Sequence, residues 1–187
     1  LHPRKSFHVL GDGGLVTTNS TTLYKKMLLL RNHGLKNRNE SLIWGTNSRL
    51  DNLQAGFGNV MLNKIITWNN RQLKIALNYT KNLKKYLKTP IFDLKDSNPT
   101  FHQYIVRTKY RNELQKYLRL NKIDTAIHYP VPIHKQPAYK KQFGNISLPI
   151  TEEFCKEILS LPINAFMTDQ EVSYVIKKIQ NFFENKK

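Results

Sequence analysis

One stretch constrains the fold more than any other. Over residues 51–88 apolar side chains recur at helical spacing, and Pro90 stops the pattern. Leu53, Phe57, Val60, Met61 and Ile65, followed by Leu73, Leu77, Leu83 and Leu87, place an apolar face along many helical turns, the mark of a helix packed on one side. Thr67-Trp68-Asn69-Asn70 interrupts the run, which predicts a bend or a division there. Beyond Pro90 the pattern changes. Residues 91–92 and 101–108 read as strands, 113–121 as a helix and 123–127 as a third short strand. Pro130, Pro132 and Pro137 stiffen the loop that follows, because each fixes its own backbone and lacks an N–H. Residues 151–159 and 169–183 read as helices, the second amphipathic through Val172, Val175, Ile176, Ile179 and Phe183. Residues 90–187 therefore make a small α+β domain, and residues 1–89 belong to the tail of another, with the boundary near Thr89.

Ahead of the long run, residues 15–18 read as a short strand and Asn19-Ser20 offers an N-cap to a helix carrying Leu23, Met27 and Leu30. Gly34 ends that helix. Residues 35–50 are polar and without period, which predicts a long loop of the kind that often carries function.

Composition sets looser limits. With 187 residues, 40% of them hydrophobic, the chain can bury a core. Its one cysteine, Cys155, cannot form an internal disulfide, which fits a reducing compartment and hence the cytoplasm. No run reaches the roughly 18 apolar residues of a membrane span. The net charge of +17 favours polyanionic partners, and a non-catalytic basic module that binds nucleic acid or another polyanion is the alternative reading. Against it, the lysines are scattered through helices, as at Lys81, Lys84, Lys85 and Lys88, and no nucleic-acid motif accompanies them.

The chemistry concentrates at the start of the chain. Lys5 stands just ahead of Gly11-Asp12-Gly13-Gly14 and a β-branched run. Lysine is the side chain that condenses with a carbonyl group, and it does so only as the free amine. The glycines make a turn that lets backbone approach closely.

Several spaced blocks extend the pattern. His2-Pro3-Arg4-Lys5, Asp12-Gly13-Gly14 and Thr18-Asn19 form the first; Arg31-Asn32-His33-Gly34-Leu35, then Gly45-Thr46-Asn47-Ser48-Arg49-Leu50 with Gln54-Ala55, form the second. His128-Tyr129-Pro130-Val131-Pro132-Ile133-His134 and Leu159-Ser160-Leu161-Pro162-Ile163 complete it. In this order the chain resembles the DegT/DnrJ/EryC1/StrS family of sugar aminotransferases, pyridoxal 5'-phosphate (PLP) enzymes that install amino groups on nucleotide-activated keto-sugars. Phe7 and His8 depart modestly from the family pattern.

The resemblance implies an α/β fold of the PLP-dependent transferase type (aspartate aminotransferase type I). Residues 1–89 would be the C-terminal part of the large PLP-binding domain with a long interdomain helix, and residues 90–187 the small domain. It implies an amino-acid donor, glutamate in the family, a nucleotide-linked keto-sugar acceptor, and a role in polysaccharide or glycan biosynthesis. It makes Lys5 the Schiff-base residue and the general acid/base, Asn47 a donor to the cofactor phosphate across a homodimer interface, and His128, Tyr129 and His134 substrate-binding residues. Sister enzymes that dehydrate sugars carry histidine in place of the lysine, so Lys5 argues for amino transfer. The residues that stack on the cofactor ring, pair with its nitrogen and hold most of its phosphate would precede Leu1, so the chain reads as a fragment, inactive alone. His128 and His134 lack further ligands, which discounts a metal.

Overall fold

Two groups of elements make up the computed structural model, which describes residues 1–186. The first unit, Leu1–Ile66, holds helix α1 (Thr21–Leu30), strands β1 (Leu35–Asn37) and β2 (Glu40–Ser41), and helix α2 (Asn52–Leu62). The second, Thr67–Lys187, takes most of α3 (Ile65–Leu83), then β3 (Tyr104–Arg107), α4 (Arg111–Leu120), α5 (Pro137–Phe143), α6 (Pro149–Glu157), β4 (Ile158–Leu161) and α7 (Asp169–Glu184). The division precedes the Thr89 boundary expected from Pro90. Its cause is α3, whose Gln72, Ile75, Ala76, Tyr79 and Leu83 are buried and whose apolar members join the core of the second unit.

In the first unit, local chemistry sets the elements. Ser20 Oγ accepts the Leu23 N–H at 3.3 Å and caps α1. The helix ends at Leu30, and the chain turns through His33 and Gly34, both at positive φ, with the Gly34 N–H reaching back to Leu29 O at 2.7 Å. Within the expected 35–50 loop the structure instead has the β1–β2 hairpin, pinned where Asn37 Oδ1 accepts the Asn39 N–H at 3.0 Å. So short a hairpin rests on turn chemistry and leaves no periodic trace. Residues 15–18 form no strand; an extended segment becomes one only beside a hydrogen-bonding neighbour, and none is found among the described residues.

The long helical run is divided at Asn63 and Lys64, a turn closed by Lys64 N–H to Met61 O at 2.9 Å, earlier than the expected interruption. Thr67, Trp68, Asn69 and Asn70 lie inside α3, where the Trp68 ring meets Phe166 edge-on at 5.7 Å.

The second unit is organised about a core of nineteen buried residues among those described. β3 and β4 pair antiparallel, with Tyr104 opposite Leu161 and Arg107 opposite Ile158. Tyr104 and Val106 point inward while Ile105 and Arg107 are half-buried, the alternation a one-sided ribbon requires. Single bridges extend the ribbon on both sides, Lys88 with Arg107 and Ala126 with Ser160. Thus the strand expected at residues 123–127 shrinks to one bridge, and residues 91–92 form none; Phe92 packs edge-on against Phe101 at 5.0 Å. β4 was hidden in the helix expected over 151–159. That helix stops at Glu157, where the apolar Ile158, Leu159 and Leu161 pair with β3 instead. The proline loop carries a 3-10 turn, Ile133–Lys135, and α5, with Pro137 at the helix start where its missing N–H costs nothing.

α7 begins in a full capping box: Thr168 Oγ1 accepts the Glu171 N–H at 3.2 Å, and Glu171 Oε2 accepts the Thr168 N–H at 2.7 Å. Its buried face is Val172, Val175, Ile176, Ile179 and Phe182, while Phe183, expected in that face, is half-buried. No helix among the described residues is long and apolar enough to cross a membrane.

Candidate functional site

Lys5 sits in an exposed turn whose backbone is held from both ends. Its N–H reaches His2 O at 2.9 Å, and its carbonyl accepts from His8 Nδ1 at 2.9 Å. The Lys5 side chain is exposed and pairs with no carboxylate among the described residues. Beside it, Ser6 Oγ is buried without a hydrogen-bond partner. Val9, fully buried, fixes this segment against α2, where Gly58 makes room: a Cβ there would stand 3.3 Å from Val9 Cγ1. Gln54 of α2 accepts the Leu10 N–H at 2.8 Å through Oε1. Its Nε2 lies 3.0 Å from the place a Gly11 Cβ would take. Gln54 is thus the tie between helix and lysine turn, a role its place in the second block did not reveal. Gly13 is required by packing, since a Cβ there would meet Leu50 at 2.9 Å and Val9 at 3.1 Å; Gly14 faces open space.

Asn47 lies on an extended segment that bridges to Asn32. Arg49 stitches the two, Nε to Asn47 Oδ1 at 3.0 Å and NH1 to Asn32 Oδ1 at 3.1 Å. Asn47 therefore does not cap α2; Asp51 takes the N-cap position, without a side-chain bond. With its oxygen held by Arg49, exposed Asn47 keeps its amide N–H2 to donate, the kind of group an anion requires. Trp44 nearby in sequence is 97% exposed.

The remaining candidates belong to the second unit. His128 Nδ1 bonds Ser160 Oγ at 2.8 Å, and Ser160 is buried on β4, so one ring nitrogen is anchored and Nε2 is the end left for other chemistry. Tyr129, joined to it by a cis peptide, is 69% exposed and stands edge-on to the His128 ring at 5.4 Å.

His134 does not share this arrangement. It is 4% exposed, with Nε2 3.1 Å from Glu152 Oε1. The same oxygen receives Lys135 Nζ at 3.1 Å and the Leu148 N–H at 3.0 Å. The His134 bond, the Leu148 N–H and Lys135 together draw the Glu152 carboxyl down to about 2. In this chain His134, expected to face the sugar, is buried and braces the proline loop against the start of α6. Ser160 was legible as a lone polar residue in an apolar block, whereas nothing in the spacing marked Glu152. Among the described residues no three His, Cys, Asp or Glu side chains gather as a metal site would require.

Residues 1–180 match the pattern of the DegT/DnrJ/EryC1/StrS aminotransferase family. The chain is 35% identical, over 98% of its length and 49% of the relative's, to a dTDP-3-amino-3,4,6-trideoxy-alpha-D-glucose transaminase of Streptomyces venezuelae. Its fold superposes at a TM-score of 0.92 on S. venezuelae DesV, solved in complex with a ketimine intermediate, at 35% identity over 98% of this chain and 50% of that one. A Bacillus subtilis protein, ntda, solved with bound cofactor PMP, matches at a TM-score of 0.88 and 25% identity, over 97% of this chain and 44% of its own. The chain spans about half the length of these relatives. The motif order, the lysine turn and the near-complete superposition converge: the chain belongs to the DegT/DnrJ/EryC1/StrS aminotransferase family.

Proposed function

We propose that the protein carrying this chain is a PLP-dependent aminotransferase that moves an amino group from an amino acid, glutamate, to a nucleotide-linked keto-sugar for polysaccharide or glycan biosynthesis. The single observation that carries the reading is Lys5, an exposed primary amine without a carboxylate partner among the described residues, on a turn fastened to α2 by Gln54 and Val9. The named substrate of the Streptomyces relative and the PMP in the Bacillus neighbour support the acceptor class and the cofactor.

The residues present fit such a cofactor at its reactive end. Lys5 would supply the amine, and Asn47, its oxygen held by Arg49, would offer its amide N–H2 to an anionic group. PLP, when bound, supplies a carbonyl carbon for amines and an electron sink for the bond broken at the donor's α-carbon. Lys5 Nζ, as the free amine, would accept a proton from the donor's α-carbon and return it, acting as base and then as acid. His128, anchored at Ser160, and exposed Tyr129 offer a ring N and a hydroxyl to sugar hydroxyls or to the diphosphate. His134 serves by holding their loop. We place the reaction in the cytoplasm, where the single free Cys155 stays reduced.

The test is reduction of the holoprotein with borohydride and peptide mass spectrometry. The pyridoxyl adduct is expected on Lys5. The Lys5→Arg protein, charged but unable to form an imine at neutral pH, should carry no adduct and transfer no amino group. An adduct on any other lysine overturns the assignment.

A further inference from the structure

Positive charge gathers without partners at one cleft of the second unit. The cleft, of about 460 Å³, is lined by the chain just after α3, the end of β3, the 108–110 turn, the end of α6 and one side chain of α7. Lys84, Lys85, Lys88 and Lys109 stand on it, and none pairs with a carboxylate among the described residues. Elsewhere the lysines nearest to acids are used, as in Lys36 with Glu40, Lys135 with Glu152 and Lys186 with Glu113. The one acidic residue in the wall, Glu157, is taken by Arg107, through NH2 at 2.8 Å and Nε at 3.2 Å. The lining side chains thus carry five positive charges against one negative, with Glu153 also facing Arg107 at 3.8 Å.

Its construction is rigid where it matters. Lys88 and Arg107 exchange backbone hydrogen bonds of 3.1 and 2.9 Å, so the segment bearing the lysines is fastened to the edge of β3. Tyr86 stacks on Phe183 at 6.0 Å, and Tyr110 meets the same ring edge-on at 6.3 Å. Lys85 Nζ lies 5.7 Å over Tyr86 and Lys109 Nζ 5.2 Å over Tyr110, so ring faces steady two of the ammonium groups. Glu184, the other acid on this aromatic cluster, accepts the Tyr86 hydroxyl at 2.7 Å.

We propose that this cleft binds an oligophosphate anion, free or as the phosphate end of a nucleotide. Lysine ammonium groups are point charges suited to phosphate oxygens, and several converging on one cavity favour an anion carrying several charges over a carboxylate. The volume lies within the range of small-ligand sites. Binding itself is the readout, so this inference and the aminotransferase reading fail independently.

Calorimetric titration of the holoprotein with tripolyphosphate, at physiological ionic strength, should show one site per chain. Lys84→Gln/Lys88→Gln/Lys109→Gln should weaken binding at least about tenfold. The control Lys140→Gln/Lys141→Gln/Lys177→Gln removes as many exposed charges from the same unit and should stay within about twofold. ATP binding as tightly as tripolyphosphate means that the phosphates alone are read; tighter binding by ATP identifies the nucleotide as the source. Ligand should also shield Lys84, Lys88 and Lys109 from acetylation, a measure that needs no variant. Absence of saturable binding, or equal weakening in the control, which would reduce the effect to net charge, overturns the proposal.

Discussion

Gly34 and Gly14 show how differently two glycines can matter within one unit. Gly34 sits at a φ of +70°, and a Cβ there would fall 1.7 Å from Ile43 O, a backbone atom that cannot step aside. Gly34→Ala therefore adds the left-handed strain to a forced shift of the chain, and should cost about 3 kcal/mol or more. Gly14→Ala meets nothing within 4 Å and should stay within about 0.5 kcal/mol. Urea midpoints of the two variants check both; a Gly34→Ala protein as stable as the parent contradicts the geometry. At the same scale, His128 is held at Nδ1 by Ser160, so Nε2 is the end left for the proposed contact with the sugar. His128→Ala should slow the single-turnover reaction with keto-sugar about tenfold or more and leave that with the amino donor nearly intact. Equal loss in both would show that the residue supports the fold alone.

Among elements, the clasp between the 3-10 turn and α6 carries a pH signature. Glu152 titrates near 2 when folded, because His134, the Leu148 N–H and Lys135 favour its charged form, against an ordinary 4.5. A lowered folded value means that its stabilising effect is complete above about pH 4.5 and fades as pH falls toward about 2. Wild type should thus melt above Glu152→Gln at neutral pH, with the gap closing through that acid window. A gap that persists to pH 2 would show that the carboxylate charge is not what matters. The elements that the sequence made legible are those with a long period or a side-chain signal of their own: α7, α4 and the cap of α1 at Ser20. β4 was not legible, because its apolar residues continue the helical pattern of α6 and only pairing with β3 tells them apart. The β1–β2 hairpin escaped for the opposite reason, having too few residues to show any alternation.

Across the whole molecule, the motif blocks predicted the family, and the fold followed from it. What they could not supply was the division of labour within a block: Lys5 and Gly14 face solvent, Gly13 and Gln54 serve packing, and His134 braces a loop, although all came from matching segments. We propose a homodimer with shared sites, resting on exposed Asn47, whose oxygen is held by Arg49 and whose amide N–H2 is left to donate. An inactive Lys5→Ala chain mixed with an inactive Asn47→Ala chain should recover about a quarter of wild-type activity, since half the dimers are hybrids with one intact site of two. Hybrids that form and stay inactive would exclude sharing.

Burial is distributed unevenly between the two units. α1 has no buried residue and α2 only Gly58, whereas α3 and α7 each bury five. Free energy of local opening tracks buried contact. Backbone amides of α7 should then report the slowest hydrogen exchange in the chain and those of α1 among the fastest. Among the described residues the turn that carries Lys5 is tied to α2 at two places, Val9 against Gly58 and Gln54 on Leu10, so Gln54→Ala or Gly58→Val would displace that amine while leaving the buried faces of α3 and α7 untouched.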